Sequence, residues 1–249
     1  MSGEPAVTQP TDAPRPAAPP LVWPALIVAL LLAGLTGFVD AVAFDRFLGV
    51  FPANQSGNAV FLGTSIGGSA NATGWQSGTS MAAFALGIVV AELVRRRVRG
   101  PRLGAWLLVA ECALLVVVIA ITGPIERPHI IGGGEGFVLI VLASMAMGVQ
   151  TLVIRRVAGT SVATTYQTGA IARMGESLSN VLTRAARLRE QRELAVLLLV
   201  LTSYVAGAAV GAAAPGRWRW SMALAAAVVA AIALVWFVAP QWLLGPDDG

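Results

Sequence analysis

Residues 21–44 read LVWPALIVALLLAGLTGFVDAVAF, twenty-four residues with a single charge, Asp40. As an α-helix at 1.5 Å per residue the stretch would be ~36 Å long, more than a hydrocarbon core of about 30 Å, so it predicts a membrane span. Outward from it the pattern recurs. Apolar segments follow at 79–94, 104–122, 136–154, 194–214 and 219–239. Over the 249 residues 56% are apolar and only 12% charged, whereas a soluble domain carries about 25% charge. The chain reads as an all-α polytopic membrane protein with six full spans.

The ends differ from this body. Residues 1–20 are rich in Pro, Ala and Thr and predict a disordered cytoplasmic tail. They lack the basic start and immediate apolar run of a signal peptide. Residues 21–243 form one membrane domain, and 244–249 a short polar tail. Two segments inside the domain are too short or too polar to cross comfortably. Residues 57–70 are Gly-rich, and 169–183 carry Arg173 and Glu176. Both are expected to be re-entrant or broken helices, with short spans tucked against neighbours as the alternative.

All 17 basic residues are Arg. Arg95, Arg96, Arg97, Arg99 and Arg102 form one cluster and Arg184, Arg187, Arg189 and Arg192 another. Basic loops beside apolar helices are a topology signal, and no RNA-binding or zinc-finger pattern accompanies them, so nucleic acid is not an expected partner. Placing both clusters in the cytoplasm yields six crossings with both termini inside, in the bacterial plasma (inner) membrane. Cys112 stands alone and His129 is the only histidine. No disulfide, metal-ligand cluster or cofactor motif is expected.

The two halves, about 21–122 and 135–240, share a pattern. With Asp40 aligned to Gln150, Arg46 meets Arg156 and Gly49 meets Gly159. Two extra residues then bring Asn54-Gln55-Ser56-Gly57 onto Tyr166-Gln167-Thr168-Gly169. Three crossings per copy would orient the halves oppositely, the inverted-repeat plan of many secondary transporters. Chance similarity is the competing reading.

The run Gly37-Phe38-Val39-Asp40-Ala41 with Phe51-Pro52-Ala53-Asn54-Gln55-Ser56-Gly57-Asn58 resembles a signature of the YoaK-like family of bacterial membrane proteins. Met147-Gly148-Val149-Gln150 with Thr164-Thr165-Tyr166-Gln167-Thr168-Gly169 is similar to that family's other signature. Pro52 and Gln55 depart from the small and Met-like residues usual in the first. The family is of unassigned function, so the resemblance implies a membrane protein and supplies no chemistry.

Polar groups among the apolar spans mark candidate site residues. Ser56 and Thr168 are expected to cap the helices that follow, and Gly57 and Gly169 to let backbone approach a ligand. Helix starts within a membrane expose N–H groups that favour anions or carbonyls. Two facing each other would make a cradle ringed by Asn54, Asn58, Tyr166 and Gln167, with Asp40 and Gln150 on the pathway. Ordinary caps and turns are the alternative. Asp40 and Glu111 lie in apolar spans, where a charge costs roughly 2.5–3.5 kcal/mol on insertion scales. Each needs a partner, a proton or water, and suits proton or ion coupling. The competing reading for Asp40 is a bond to Arg46 or the loop, and for Glu111 a helix–helix hydrogen bond. Arg46 and Arg156 are loop charges. Glu92 is expected to pair with Arg95 and Arg96. Gly207 and Gly211 predict close helix packing.

These features point to a secondary transporter or channel for a small solute, anions included. A non-transporting scaffold or assembly factor is the alternative. No histidine pair or nucleophile motif suggests an enzyme. Beyond the bilayer and an unidentified solute, no partner is specified, and a homo-oligomer is left open.

Overall fold

The computed structural model describes residues 23–69, 73–122, 133–154, 156–157, 160–162, 164–165, 167–183, 188–214 and 218–240. Among them are eight α-helices: α1 (Trp23–Val42), α2 (Gln55–Ile66), α3 (Gly74–Arg97), α4 (Leu103–Thr122), α5 (Gly133–Gln150), α6 (Gln167–Leu182), α7 (Leu188–Ala213) and α8 (Trp218–Val238). A π-helical segment, Ala43–Leu48, extends α1 and ends at Gly49, whose φ of 68° only glycine adopts readily. Between α5 and α6 lies a two-residue antiparallel ladder that hydropathy does not foreshadow, β1 (Arg156–Val157) with β2 (Thr160–Ser161). The tail 1–20 and the segment 244–249 lie outside the described residues.

Among the described residues six helices are long and apolar enough to cross a membrane: Trp23–Asp45, Gly74–Arg97, Leu103–Ile121, Gly133–Gln150, Glu190–Ala213 and Arg219–Val238. The expected span at 79–94 starts earlier, because Gly74–Gly78 join α3 rather than forming a loop. The fourth span is displaced toward the N-terminus of its segment: α5 starts at Gly133 and stops at Gln150, where residues 151–153 form a turn, rather than running 136–154.

Helix directions follow from residue pairs. Along the α1–α7 seam, Ser203 Oγ donates to the Leu30 carbonyl (2.6 Å), Gly207 lies on Gly34, and Gly211 lies on Phe38, so the two helices run parallel. Along α4–α8, Gly104 meets Trp236 while Cys112 Sγ lies 3.6 Å from the Ala226 carbonyl, so these run antiparallel. Gly207 and Gly211 do form the close-packing face expected of them. A second such seam joins α3 to α5, where Gly87 meets the Met145 backbone and Gly148 the Phe84 carbonyl. Helices also pack α2 on α3, α6 on α7, and α4 on both α5 and α8.

Short α2 does not cross the bundle. Asn58 near its start bonds Ser80 in the first half of α3 (3.0 Å), and Ser65 near its end meets Gly74 at the beginning of α3. It therefore doubles back along α3. Twelve residues give ~18 Å of helix, too little for the hydrocarbon core.

Ser80 is the polar knot of this region. Its Oγ donates to the Phe51 carbonyl (2.9 Å), accepts from Asn58 Nδ2 (3.0 Å) and Gln55 Nε2 (3.4 Å), and lies 2.8 Å from Ser144 Oγ on α5. Ser80→Ala takes its partner from the buried Ser144 hydroxyl, while the two amide protons of Asn58 keep the Phe51 carbonyl and Gln55 Oε1. We expect it to lower stability by about 1–3 kcal/mol, the usual cost of an unmet buried polar group, measured as a lower melting temperature in detergent. Ser65→Ala, at the far end of α2, serves as the control.

Candidate functional site

Where the ends of α1 and α5 approach the starts of α2 and α6, the packing leaves a cavity of about 380 Å³. One wall comes from the first half of the chain: Ala53, Asn54, Gln55, Ser56, Phe84 and Ile88. The other comes from the second half: Thr151, Thr165, Gln167, Thr168, Ile171 and Tyr204. Phe84 and Ile88 fall in the middle of α3, and Tyr204 well inside α7, so the cavity sits at an intermediate depth of the spans rather than at a helix end. None of these twelve side chains carries a charge at neutral pH. Amides and hydroxyls make the polar part, and Phe84, Ile88 and Ile171 the apolar part.

The α2 edge of the cavity is built on Asn54. Its side chain, and not that of Ser56, caps the helix: Gly57 N–H donates to Asn54 Oδ1 (3.3 Å). Ser56 lies in the first turn and donates its own hydroxyl to the same oxygen (2.8 Å). Thr168 likewise lies inside the first turn of α6 rather than at its cap. The expected capping roles of both hydroxyls are therefore corrected, and Thr168 stays exposed toward the cavity. A helix can take its cap from any short polar side chain one residue earlier, and asparagine is as good a cap as serine.

Gln55 and Gln167 make the same bond in each half. Gln55 Nε2 donates to the Pro52 carbonyl (2.8 Å) and Gln167 Nε2 to the Thr164 carbonyl (3.3 Å), each three residues back. The Gln55 oxygen accepts from Asn58 (3.0 Å), whereas Gln167 Oε1 is buried with no hydrogen-bond partner among the described residues. Thr151 and Thr165 hydroxyls meet at 2.9 Å across the opposite wall.

Asp40 stands behind the cavity. Ala53 N–H donates to its Oδ1 (2.7 Å) and the Tyr204 hydroxyl to its Oδ2 (2.8 Å). Of the alternatives for this acid, the loop contact is present, and Tyr204 adds a second partner that the sequence did not single out. Both donors belong to residues that line the cavity, so Asp40 ties the α2 approach to α7. Tyr204 is separated from Asp40 by 164 positions, and no local pattern links them.

Other expected site residues lie apart. Asn58 is fully buried and spends its side chain on Phe51 N–H (3.1 Å), the Phe51 carbonyl (2.6 Å), Gln55 and Ser80, holding the loop before α2 rather than facing the cavity. Gln150 is fully buried, donating to Thr36 Oγ1 (2.8 Å) and the Leu32 carbonyl (3.0 Å), so it fastens α5 to α1. A side chain begun at Gly57 would meet the Phe51 ring at 3.0 Å, and Gly169 lies in the first turn of α6; neither lines the cavity. Glu111 is fully buried on α4, away from the cavity lining, and neither carboxyl oxygen has a hydrogen-bond partner among the described residues. The helix–helix bond considered for it is not made. Tyr166 and the side chains of Arg46 and Arg156 lie outside the described residues. Glu92 pairs as expected, bonding Arg95 twice (2.7 Å each) and Arg96 once (3.2 Å).

Six apolar crossings, of which α3 and α7 help line an uncharged cavity of mixed polar and apolar walls, define a multi-pass membrane protein that contacts the lipid bilayer. The chain belongs to the family described as protein of unknown function DUF1275, which matches residues 28–236. It is similar to the UPF0700 transmembrane protein YoaK of Bacillus subtilis (strain 168), with 29% identity over 152 residues, 60% of this chain and 65% of that protein. The chain thus spans less than two thirds of that relative's length. No solved structure matches it.

Proposed function

We propose that this protein is a secondary transporter or channel carrying a small polar solute across the bacterial plasma membrane, through the cavity between α2 and α6. The observation that carries the reading is the lining itself: Ala53, Gln55, Ser56 and Phe84 from one half face Thr165, Gln167, Thr168 and Tyr204 from the other. Ala53, Gln55 and Ser56 correspond to Thr165, Gln167 and Thr168 under the two-residue offset of the repeat, and α3 and α7 supply Phe84 and Tyr204, outside that register, three residues before Gly87 and Gly207.

Inverted duplication is supported by the packing. Exchanging α1–α4 for α5–α8 turns the α1–α7 seam into α5–α3, the α2–α3 pair into α6–α7, and α4–α8 into itself, and all of these pairs are present. Parallel α1 and α7 with antiparallel α4 and α8 also fit six crossings with both termini cytoplasmic. A site at such a repeat interface is where inverted-repeat transporters hold their solutes. The first-turn N–H groups of α2 and α6 suit an anion or carbonyl oxygen, and the uncharged lining suits a small solute with hydrogen-bonding groups. Asp40, reached through Tyr204, is the candidate coupling group beside the site, and Glu111 a second one apart from it. No step in this reading requires an enzyme.

The test is flux in sealed proteoliposomes, with a panel of small neutral and anionic solutes and an imposed proton gradient. Thr168→Trp fills the cavity from an exposed position and is expected to reduce flux at least about tenfold, since a steric block at a binding site removes most productive occupancy. Tyr204→Phe is expected to weaken the response to the gradient. A folded protein that moves no solute, gradient or not, would favour the scaffold reading. Orientation is checked separately: with Cys112→Ser as background, a cysteine introduced among 184–193 should label only from the cytoplasmic side.

A further inference from the structure

The turn between α3 and α4 concentrates charge. Arg95, Arg96, Arg97, Arg99 and Arg102 fall there, and the neighbouring acid Glu92 bonds only Arg95 and Arg96. An open recess of about 410 Å³ lies over this turn, lined by Arg95, Arg96 and Arg99 together with the apolar Val98, Gly100 and Leu103. Gly100 at its base has φ 123°, and no atom lies within 4 Å of where a side chain would begin, so the chain turns sharply and leaves the recess clear.

Its depth relative to the bilayer is marked by aromatic residues. Trp236 Nε1–H donates to the Pro101 carbonyl (2.9 Å), and half-exposed Trp106 packs edge-on against Phe237 with ring centroids 5.1 Å apart. Trp at the end of a span belongs to the headgroup layer. Exposed Leu93, on the last turns of α3, continues the apolar side toward the hydrocarbon.

We propose that this recess binds the phosphate headgroup of an anionic phospholipid. A guanidinium presents a planar fork that matches phosphate oxygens in pairs, and Arg99 has no carboxylate partner among the described residues. Leu103 and Val98 in the same lining offer apolar surface for the glycerol and upper acyl carbons of such a lipid. Free phosphate shares the headgroup chemistry but has nothing to place on that apolar side. The proposal is independent of the transport reading, because the recess lies at the opposite end of α3 from α2 and shares no residue with the cavity.

The test is native mass spectrometry of the purified full chain in detergent, titrated with phosphatidylglycerol, phosphatidylcholine or inorganic phosphate. Preferential retention of phosphatidylglycerol by the wild type is expected. R96Q/R99Q should weaken it roughly tenfold or more, as loss of two surface arginines implies, while R189Q/R192Q in the other arginine cluster leaves it unchanged. Equal weakening by both pairs, equal retention of phosphatidylcholine, or displacement by millimolar inorganic phosphate would each overturn the proposal. Should R96Q/R99Q fail to accumulate, hydrogen exchange on the wild type decides. Protection of residues 95–103 by phosphatidylglycerol alone supports the site, and its absence rejects it.

Discussion

Gly207→Leu is expected to abolish the folded protein. A side chain at this position begins inside contact distance of the Gly34 backbone, one begun at Gly37 would strike the Tyr204 carbonyl, and one at Gly211 would lie 2.6 Å from the Phe38 carbonyl. The obstacle in each case is backbone, which cannot move aside by changing a rotamer. Overpacking a core costs typically 1–3 kcal/mol when side chains can shift, and here the cost should exceed about 3 kcal/mol. The α1–α7 seam would have to open along its length, carrying Asp40 away from Tyr204 and breaking the Ser203–Leu30 bond. Solubilised protein should lose its monodisperse elution and cooperative melting. Gly63→Leu is the matched control, since Gly63 on α2 has no atom within 4 Å of the added carbon; surface changes of this sort stay within roughly 0.5 kcal/mol. A Gly207→Leu protein that melts like wild type would refute the tight seam.

Glu111→Leu is expected to act in the opposite direction on stability. Both oxygens of Glu111 are buried without a hydrogen-bond partner among the described residues, on a helix face shared with Leu108 and Leu115. Leucine is similar in size and removes two unmet polar atoms. Stability should rise by about 1–3 kcal/mol, the penalty ordinarily attached to such atoms, seen as a higher melting temperature in detergent. Asp40→Leu provides the contrast. Its oxygens serve the buried Ala53 N–H and the part-buried Tyr204 hydroxyl, so its loss orphans one buried donor and frees another toward the cavity, and should lower stability by about 1–3 kcal/mol. If Glu111 also couples transport to a proton gradient, Glu111→Leu gains stability while losing gradient-driven flux, the trade-off expected of a residue kept for function. Destabilisation by Glu111→Leu would mean that the carboxyl has a partner.

Some of this architecture was legible in the chain because bilayer insertion is decided locally. A segment of about twenty apolar residues spans whatever its neighbours are, so six crossings followed from hydropathy. The shortness of 57–70 and the polar residues of 169–183 likewise implied re-entrant or broken helices, and α2 does turn back along α3. Glu92 with Arg95 and Arg96, and Gly207 with Gly211, were readable because one turn of helix sets their spacing. Helix boundaries were less so: Gly74–Gly78 look like loop residues, yet they belong to α3, where Ser77 and Ser80 are buried; bonds with Phe51, Asn58 and Ser144 accommodate Ser80, while Ser77 Oγ has no partner among the described residues.

Partner choice among polar residues required the folded chain. Asn54, Ser56, Asn58, Gln150 and Gln167 all looked alike as members of a polar cradle, because amides and hydroxyls can each donate and accept. Packing separates them: Asn54, Ser56 and Gln167 reach the cavity, Asn58 is consumed by Phe51 and Ser80, and Gln150 by α1. Tyr204 illustrates the limit most clearly. Its role depends on the α1–α7 seam, which brings together residues 164 positions apart. Sequence alone therefore determined that the chain crosses a bilayer, about how often, and which rare polar residues lie within it, because water-to-lipid transfer acts on each segment separately. Only the tertiary structure decided which of those residues share a cavity, which hold helices together and which acid is left without a partner, because hydrogen bonds between distant segments exist only once the helices have packed.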